Sequence, residues 1–307
     1  MKIHEFQDAN QFYTWVKDYL LNQEPIHSLL LGISNSLIHN PERYEETPYL
    51  AAVEIDNNIV AVAIRTPPRP LLLSQIEDLK AVELLAQNLS VSYPSLTGVN
   101  APVDEAQAFA SAWHSLTGQS YQLKLALRTF KLEKVRHISA ATGYLRQATE
   151  SDRTLLINWY EAFSLETLGE IDSEAERWAK HRLKEGTAYL WQDKVPVSIA
   201  CRGGLTPNGA RVNMVYTPPK YRRLGYASAC VAALSQTLLN QGYRFCFLST
   251  DLANPISNHI YQEIGYQPLG DWHELCFEVT GLKQNLSSFV DSSEIPVTKR
   301  AGKLNLL

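Results

Sequence analysis

The chain has 307 residues, 45% of them hydrophobic and 20% charged, with a formal net charge of −4. That length fits two domains of ordinary size, and the composition is that of a soluble globular protein. The charge offers no general attraction to nucleic acid or anionic membranes, the opening MKIHEFQDANQF lacks the apolar segment of a signal peptide, and no apolar run approaches spanning length. A cytoplasmic protein with no nucleic-acid or membrane partner is the expectation.

In chain order, a helical stretch leads into a hairpin. Tyr49–Glu54 runs through the polar turn Asp56-Asn57-Asn58 into Ile59–Arg65, where Val60, Val62 and Ile64 alternate. Leu71–Ser74 reads as a strand, Ile76–Asn88 as a helix, Leu96–Asn100 as a strand and Asp104–Leu116 as a helix. A polar link follows near Lys134–Gly143, with Arg136, His137 and Ser139. About 140 residues after the first hairpin the pattern returns. Thr187–Trp191 passes through Asp193-Lys194 into Val195–Cys201, followed by the strand Val212–Thr217, the helix Ala227–Asn240, the strand Phe245–Thr250 and the helix Ile256–Ile264. The fold class is therefore α/β (α+β), with two similar units. The expected division is 1–135, a linker at 136–142, a second domain at 143–280 and a tail at 281–307. The tail has no clear period and ends in Pro296 and the basic pair Lys299-Arg300. Cys201, Cys230, Cys246 and Cys276 form no C-x-x-C pair, so reduced core residues are expected and no metal site.

The segment richest in chemical information runs from Val212 to Ala227. A short apolar strand stops at Pro218-Pro219, because proline cannot continue its ladder. A basic loop with one glycine then opens a helix whose Ala227, Val231, Leu234 and Leu238 recur at helical spacing. The first turn of a helix carries unpaired N–H groups and partial positive charge. Gly225 and Ala227 add little bulk, and Arg222 and Arg223 add charge, so the loop suits a phosphate. A plain strand–loop–helix join with two exposed arginines has the same appearance. Walker, Rossmann, H-E-x-x-H and G-x-S-x-G patterns are absent.

Strand, then Arg222-x-x-Gly225-x-Ala227, resembles the acyl-CoA pyrophosphate loop of the GNAT superfamily of N-acetyltransferases. A second stretch is similar to that family's helix: Asn254-Pro255-Ile256-Ser257-Asn258-His259-Ile260-Tyr261, then Gly265-Tyr266. Asn254 and Pro255 suit a helix start, Ser257 and Tyr261 share a face, and Gly265 suits its end. The resemblance covers about residues 143–280. The N-terminal copy lacks the glycine loop; its join, Pro70–Asp78, carries Glu77 and Asp78 and reads as a degenerate GNAT-like domain. Each domain would then have a mixed, largely antiparallel sheet flanked by helices.

The resemblance implies acetyl-CoA as co-substrate and an unidentified amine as acceptor, in a monomer or homodimer. It implies backbone contacts to the pantetheine arm from Val215, Tyr216 and Thr217. Pyrophosphate contacts would come from Arg222, Arg223, Leu224, Gly225, Tyr226, Ala227 and Ser228, and polar contacts from Asn254 and Asn258; an exposed helix residue is an equal reading of Asn258, and a helix cap is the stronger reading of Asn254. Tyr261 would assist the departing thiolate; a core aromatic is its other reading. Many relatives carry a glutamate base on the strand before the loop. Arg211 and Asn213 stand near there instead, so the base is unassigned among Glu166, Glu170 and Asp172. A non-catalytic acyl-CoA-binding regulator is the alternative function.

Overall fold

The computed structural model describes residues 1–136 and 141–278, apart from the side chain of Leu168. His137 and Ser139 of the expected linker, and the expected 281–307 tail, lie outside them. The chain forms two compact units, one of Met1–Thr129, Ser249–Pro255 and the described residues from Pro268 on, the other of Phe130–Leu248 and Ile256–Gln267.

In the first unit the elements are β1 (Lys2–Glu5), α1 (Ala9–Asn22), α2 (Ser28–His39), β2 (Tyr49–Ile55), β3 (Asn58–Arg65), β4 (Leu71–Leu73), α3 (Lys80–Ser92), β5 (Gly98–Pro102), α4 (Val103–Thr117) and most of β6 (Tyr121–Leu132). Strands β1 to β4 pair antiparallel in turn, and β4 runs parallel to β5. The period of two in β2 and β3 divides the core. Leu50, Ala52, Val62 and Ile64 pack with Phe12, Val16, Leu20 and Leu30 of α1 and α2. Ala51, Val53, Ala61 and Ala63 face the other way and pack with Val82, Leu85, Phe109 and Trp113 of α3 and α4. Helix α3 begins four residues later than the spacing predicts. Ile76 N–H is held by Glu105 Oε1 at 2.6 Å, and the Asp78 carboxylate accepts from Lys80 N–H at 3.0 Å, so the turn before the helix is fixed by side chains.

The second unit begins with β7 (Tyr144–Gln147), α5 (Arg153–Leu168) and α6 (Ala175–Lys184). It continues with β8 (Ala188–Asp193), β9 (Val195–Leu205), β10 (Gly209–Tyr216), α7 (Tyr226–Asn240), β11 (Phe245–Asp251) and α8 (Pro255–Ile264). The pairing order is β11-β10-β9-β8-β7, parallel only between β10 and β11. Arg146 on β7 forks onto Asp152 with two 2.8 Å bonds, anchoring the entry to α5; the guanidinium holds that carboxyl at about 2, below the usual carboxylate range.

The last strand, β12 (Gln267–Phe277), differs from the division read from the sequence. It pairs antiparallel with β5, from Trp272↔Pro102 to Cys276↔Gly98, and from Pro268 on belongs to the first unit. Gly98 permits this approach, since a Cβ there would lie 2.3 Å from the Leu275 carbonyl oxygen. Cys201, Cys230 and Cys246 are buried free thiols and Cys276 is a half-buried one. Among the described residues no helix is long and apolar enough to cross a membrane, and no cluster of His, Cys, Asp and Glu could hold a metal ion.

Between α1, α2 and the residues after β4 lies a buried polar knot. His27 Nδ1 donates to the Leu20 carbonyl at 3.1 Å, and its Nε2 accepts from Gln75 N–H at 3.1 Å. Protonating Nε2 breaks the second bond and charges a ring with 2% exposure, so burial lowers the His27 pKa to about 4. The unfolded chain therefore takes up this proton first as pH falls. Stability contributed by neutral His27 is complete above about 6.5 and is lost progressively down to about 4. The expected loss across that window is roughly 3 kcal/mol from this group. Urea denaturation of wild type and His27→Gln from pH 7 to 4 checks it: the variant should show a shallower fall, and parallel curves would contradict the assignment.

Candidate functional site

The site grows from an irregularity in β10. Gly209–Arg211 pair in parallel with Phe245–Phe247, and among the described residues the pairing of these strands goes no further. On its other side β10 pairs with β9 at Asn213↔Cys201 and next at Tyr216↔Ile199, so three steps on β10 oppose two on β9. The extra residue is absorbed where Met214 takes φ 48°, which is the geometry of a β-bulge. The bulge exchanges the faces of the strand. Ahead of it Ala210 and Val212 pack with α7, whereas beyond it Met214 and Tyr216 pack with Trp159 of α5, and Val215 turns to the α7 side. The two parallel strands thus part immediately before the glycine loop, beside a stretch of backbone freed from regular pairing.

Pro218-Pro219 end the ladder, and a 3-10 turn, Pro219–Tyr221, brings the chain to the arginines. Arg222 bends back: its Nε donates to the Thr217 carbonyl at 2.8 Å, and one terminal nitrogen lies 2.8 and 2.7 Å from the two oxygens of Glu166. The Tyr216 hydroxyl reaches the same carboxylate at 3.4 Å. Arg222 therefore braces the loop against α5, and Glu166 is an ion-pair partner in this structure. Arg223 is exposed, at φ 63°, with no ion pair among the described residues. Leu224 is 58% exposed. Gly225 caps α7 in the left-handed conformation at φ 79°, and no side chain caps the helix. Its first-turn N–H groups, from Tyr226, Ala227 and Ser228, carry the helix's partial positive charge. A Cβ at Gly225 would meet only the Ala141 methyl, at 3.7 Å.

An uncapped helix start, a free arginine and a glycine with open space fit a diphosphate, and the parting strands fit an extended amide chain. The residues present therefore suit acyl-CoA. The Tyr226 hydroxyl donates to Asp193 Oδ2 at 2.6 Å, and Thr142 Oγ1 donates to the same oxygen at 2.7 Å. Neither Asp193 nor Thr142 was signalled by the loop motif. Thr217 Oγ1 lies 2.8 Å from Ser198 Oγ, which also donates to the Tyr216 carbonyl at 3.2 Å.

Asn254, just before α8, is exposed and belongs to the first unit, while Asn258 on α8 is half-buried in the second. Tyr261 is buried between Phe130 and Tyr266, with ring centroids at 6.2 and 6.0 Å. Its hydroxyl makes no hydrogen bond among the described residues, and burial pushes its pKa up to about 12, so it stays protonated at neutral pH. Of the other acids considered, Glu170 is exposed, and Asp172 accepts from the Tyr160 hydroxyl at 2.8 Å and from Glu174 N–H at 2.9 Å.

Ahead of the bulge, Asn213 and Arg211 face the α5–α6 side. Burial, with a smaller effect of the Arg182 guanidinium, lowers the Arg211 pKa. Asn213 Oδ1 is buried with no hydrogen-bond partner among the described residues, an arrangement that costs about 1–3 kcal/mol when nothing fills it. In the first unit, the corresponding join after β4 borders a cavity of about 370 Å³ whose charged lining residues are Glu77, Asp104, Glu105 and Asp271. That is the wrong sign for a pyrophosphate.

The FR47-like protein family matches residues 194–275, from the start of β9 into β12. No curated protein matches the sequence. Among solved structures, a Drosophila protein shares 12% identity with a TM-score of 0.60, covering 90% of this chain and 98% of its own. A GNAT-family acetyltransferase from Colwellia psychrerythraea shares 13% at a TM-score of 0.56, covering 90% and 99%. A tandem GNAT protein of the clavulanic acid biosynthesis pathway shares 12% at 0.50, covering 90% and 98%. At these identities the likeness is one of fold. The family match is confined to β9–β12, and the likeness to these structures along both units shows the fold: a tandem of GNAT-like units.

Proposed function

We propose that the chain transfers an acetyl group from acetyl-CoA to an amine of a small molecule or peptide. The observation that carries this reading is the conjunction of the bulged, parting β10 with the uncapped start of α7. Acetyl-CoA supplies the activated acyl carbon. N–H groups of Tyr226, Ala227 and Ser228, with Arg223, would hold its diphosphate. Backbone groups of Val215, Tyr216 and Thr217 would line the arm, and an N–H freed at the bulge would donate to the acyl oxygen as charge develops there. The Tyr261 hydroxyl, kept protonated by burial, would donate to the departing sulfur. The first unit, whose join carries acids in place of the loop, would hold no CoA.

A second reading, a non-catalytic acyl-CoA-binding regulator, is favoured by one observation: Arg211 and Asn213 occupy the strand positions where a carboxylate base would stand, and Glu166 is engaged by Arg222. Steady-state assays with acetyl-CoA and an amine panel separate the two, since the regulator would bind without turnover.

Two substitutions test the roles. Gly225→Asp puts negative charge and a side chain at φ 79°, and should weaken acetyl-CoA binding by roughly 2 kcal/mol or more in calorimetry. Unchanged affinity in the folded variant would move the cofactor elsewhere. Tyr261→Phe keeps the ring and its packing, so CoA affinity should hold while kcat and kcat/KM fall together by about ten- to a thousand-fold. Near-normal turnover would reduce Tyr261 to a packing residue.

A further inference from the structure

The acyl-transfer reading leaves the cavity of the first unit unused. It lies where the turn after β4 meets the end of β5 and the start of α4, with Asp271 of β12 at its side, and residues of this unit alone border it. At about 370 Å³ it has the size of a small-molecule pocket. Glu105 lines it from the first turn of α4 and is only 4% exposed. Besides its own N–H, Ile76 N–H at 2.6 Å is the one hydrogen-bond donor to its carboxylate among the described residues. An ionised carboxylate offers about four acceptor positions, so a buried group with two donors is about half satisfied.

The other charges are of one sign. Glu77 and Asp104 border the same cavity, are exposed, and make no side-chain hydrogen bond or ion pair among the described residues. Asp271 is matched by Arg128, whose Nε and Nη2 donate at 2.7 and 2.8 Å. Among the described residues no lysine, arginine or histidine borders the cavity. The starts of α3 and α4 each contribute about half a positive charge, against three carboxylates without a cationic partner. The cavity therefore favours a cation.

Two observations select its kind. Carboxylates converging on one point would suit a metal ion, and among the described residues no cluster of His, Cys, Asp and Glu could hold one. Between the acids along the chain stand Ile76, Leu79, Pro102 and Val103, which line the same cavity with apolar surface. Separated carboxylates and an apolar wall match ammonium groups spaced by methylenes, each ammonium bringing three donors.

We propose that this cavity binds a linear alkyl diamine in its doubly protonated form, one ammonium on Glu105 and the other shared by Glu77 and Asp104. The methylenes lie against Ile76, Leu79, Pro102 and Val103. This binding needs no acetyl-CoA and does not rest on the acyl-transfer reading.

The test is calorimetry of the full chain with 1,4-diaminobutane in the absence of acetyl-CoA. One saturable site is expected. n-Butylamine, with one charged end, should bind at least about tenfold more weakly, and 1,4-butanediol should give no saturable heat. Glu105→Gln keeps an acceptor for Ile76 N–H and removes the charge, so diamine affinity should fall about tenfold or more. The double variant Glu77→Gln, Asp104→Asn changes two exposed side chains that hold nothing in the fold. It should lose about three- to tenfold, and it decides the matter if Glu105→Gln fails to fold. Glu176→Gln, at an exposed acid on α6 of the other unit, should bind as wild type. Absence of a saturable site in wild type would overturn the inference, as would unchanged affinity in folded Glu105→Gln or in the double variant. So would an equal loss in Glu176→Gln, butanediol binding as tightly as the diamine, or calcium binding more tightly than either. Because acetyl-CoA is left out, failure of the acyl-transfer reading changes none of these outcomes.

Discussion

One extra residue in β10 sets the geometry of the strand that leads into the glycine loop of the second unit. A regular strand would keep Ala210, Val212, Met214 and Tyr216 on one face and could continue its pairing with β11. The insertion at Asn213–Met214 instead turns the last two toward α5, while the parallel ladder extends only to Arg211↔Phe247. Three consequences follow from this local defect. Backbone near Val215 is released from the ladder, the parallel pairing stops short of the strand ends, and Asn213 is left facing the α5–α6 side with its Oδ1 lacking a hydrogen-bond partner among the described residues. A bulge costs ladder bonds, and the apolar contacts of Met214 and Tyr216 with α5 compensate.

The loop after the bulge uses its two arginines differently. Arg222 is bound to Glu166 and to a backbone carbonyl, which fixes the loop against α5 and leaves Arg223 as the exposed positive charge beside the helix start. Arg222→Ala would therefore disturb loop position as well as charge. The first unit repeats the order of helices and strands, including a parallel pair, β4 and β5. At the equivalent join its chemistry is inverted: Glu105 holds Ile76 N–H, and Glu77, Asp104 and Asp271 border the cavity. The shared framework is a property of the fold, and the sign of charge at the join separates the two copies.

Much of the fold was legible in the sequence because its signals are local. The hairpins show period-two alternation, the proline pair stops β10, and Gly225 and Tyr261 stand at fixed spacings in their motifs. The start of α3 was misplaced because the bonds that fix Gln75–Asp78 come partly from Glu105, which is distant in the chain. The pairing of β12 with β5 has no local signal either, since register is decided by strands more than 150 residues apart. The bulge was hidden because Met214 adopts a positive φ without the glycine that usually marks one. The Arg222–Glu166 pair joins elements 56 residues apart, so the motif alone displayed a cationic loop and not a braced one.

We propose one CoA site per chain, at the start of α7. Isothermal titration with acetyl-CoA tests it most directly. Saturation near one equivalent per chain is expected, with 3′-phosphoadenosine diphosphate competing for the same site if the helix start holds the diphosphate. Two equivalents of similar affinity, or acetyl-CoA binding indifferent to that competitor, would contradict it.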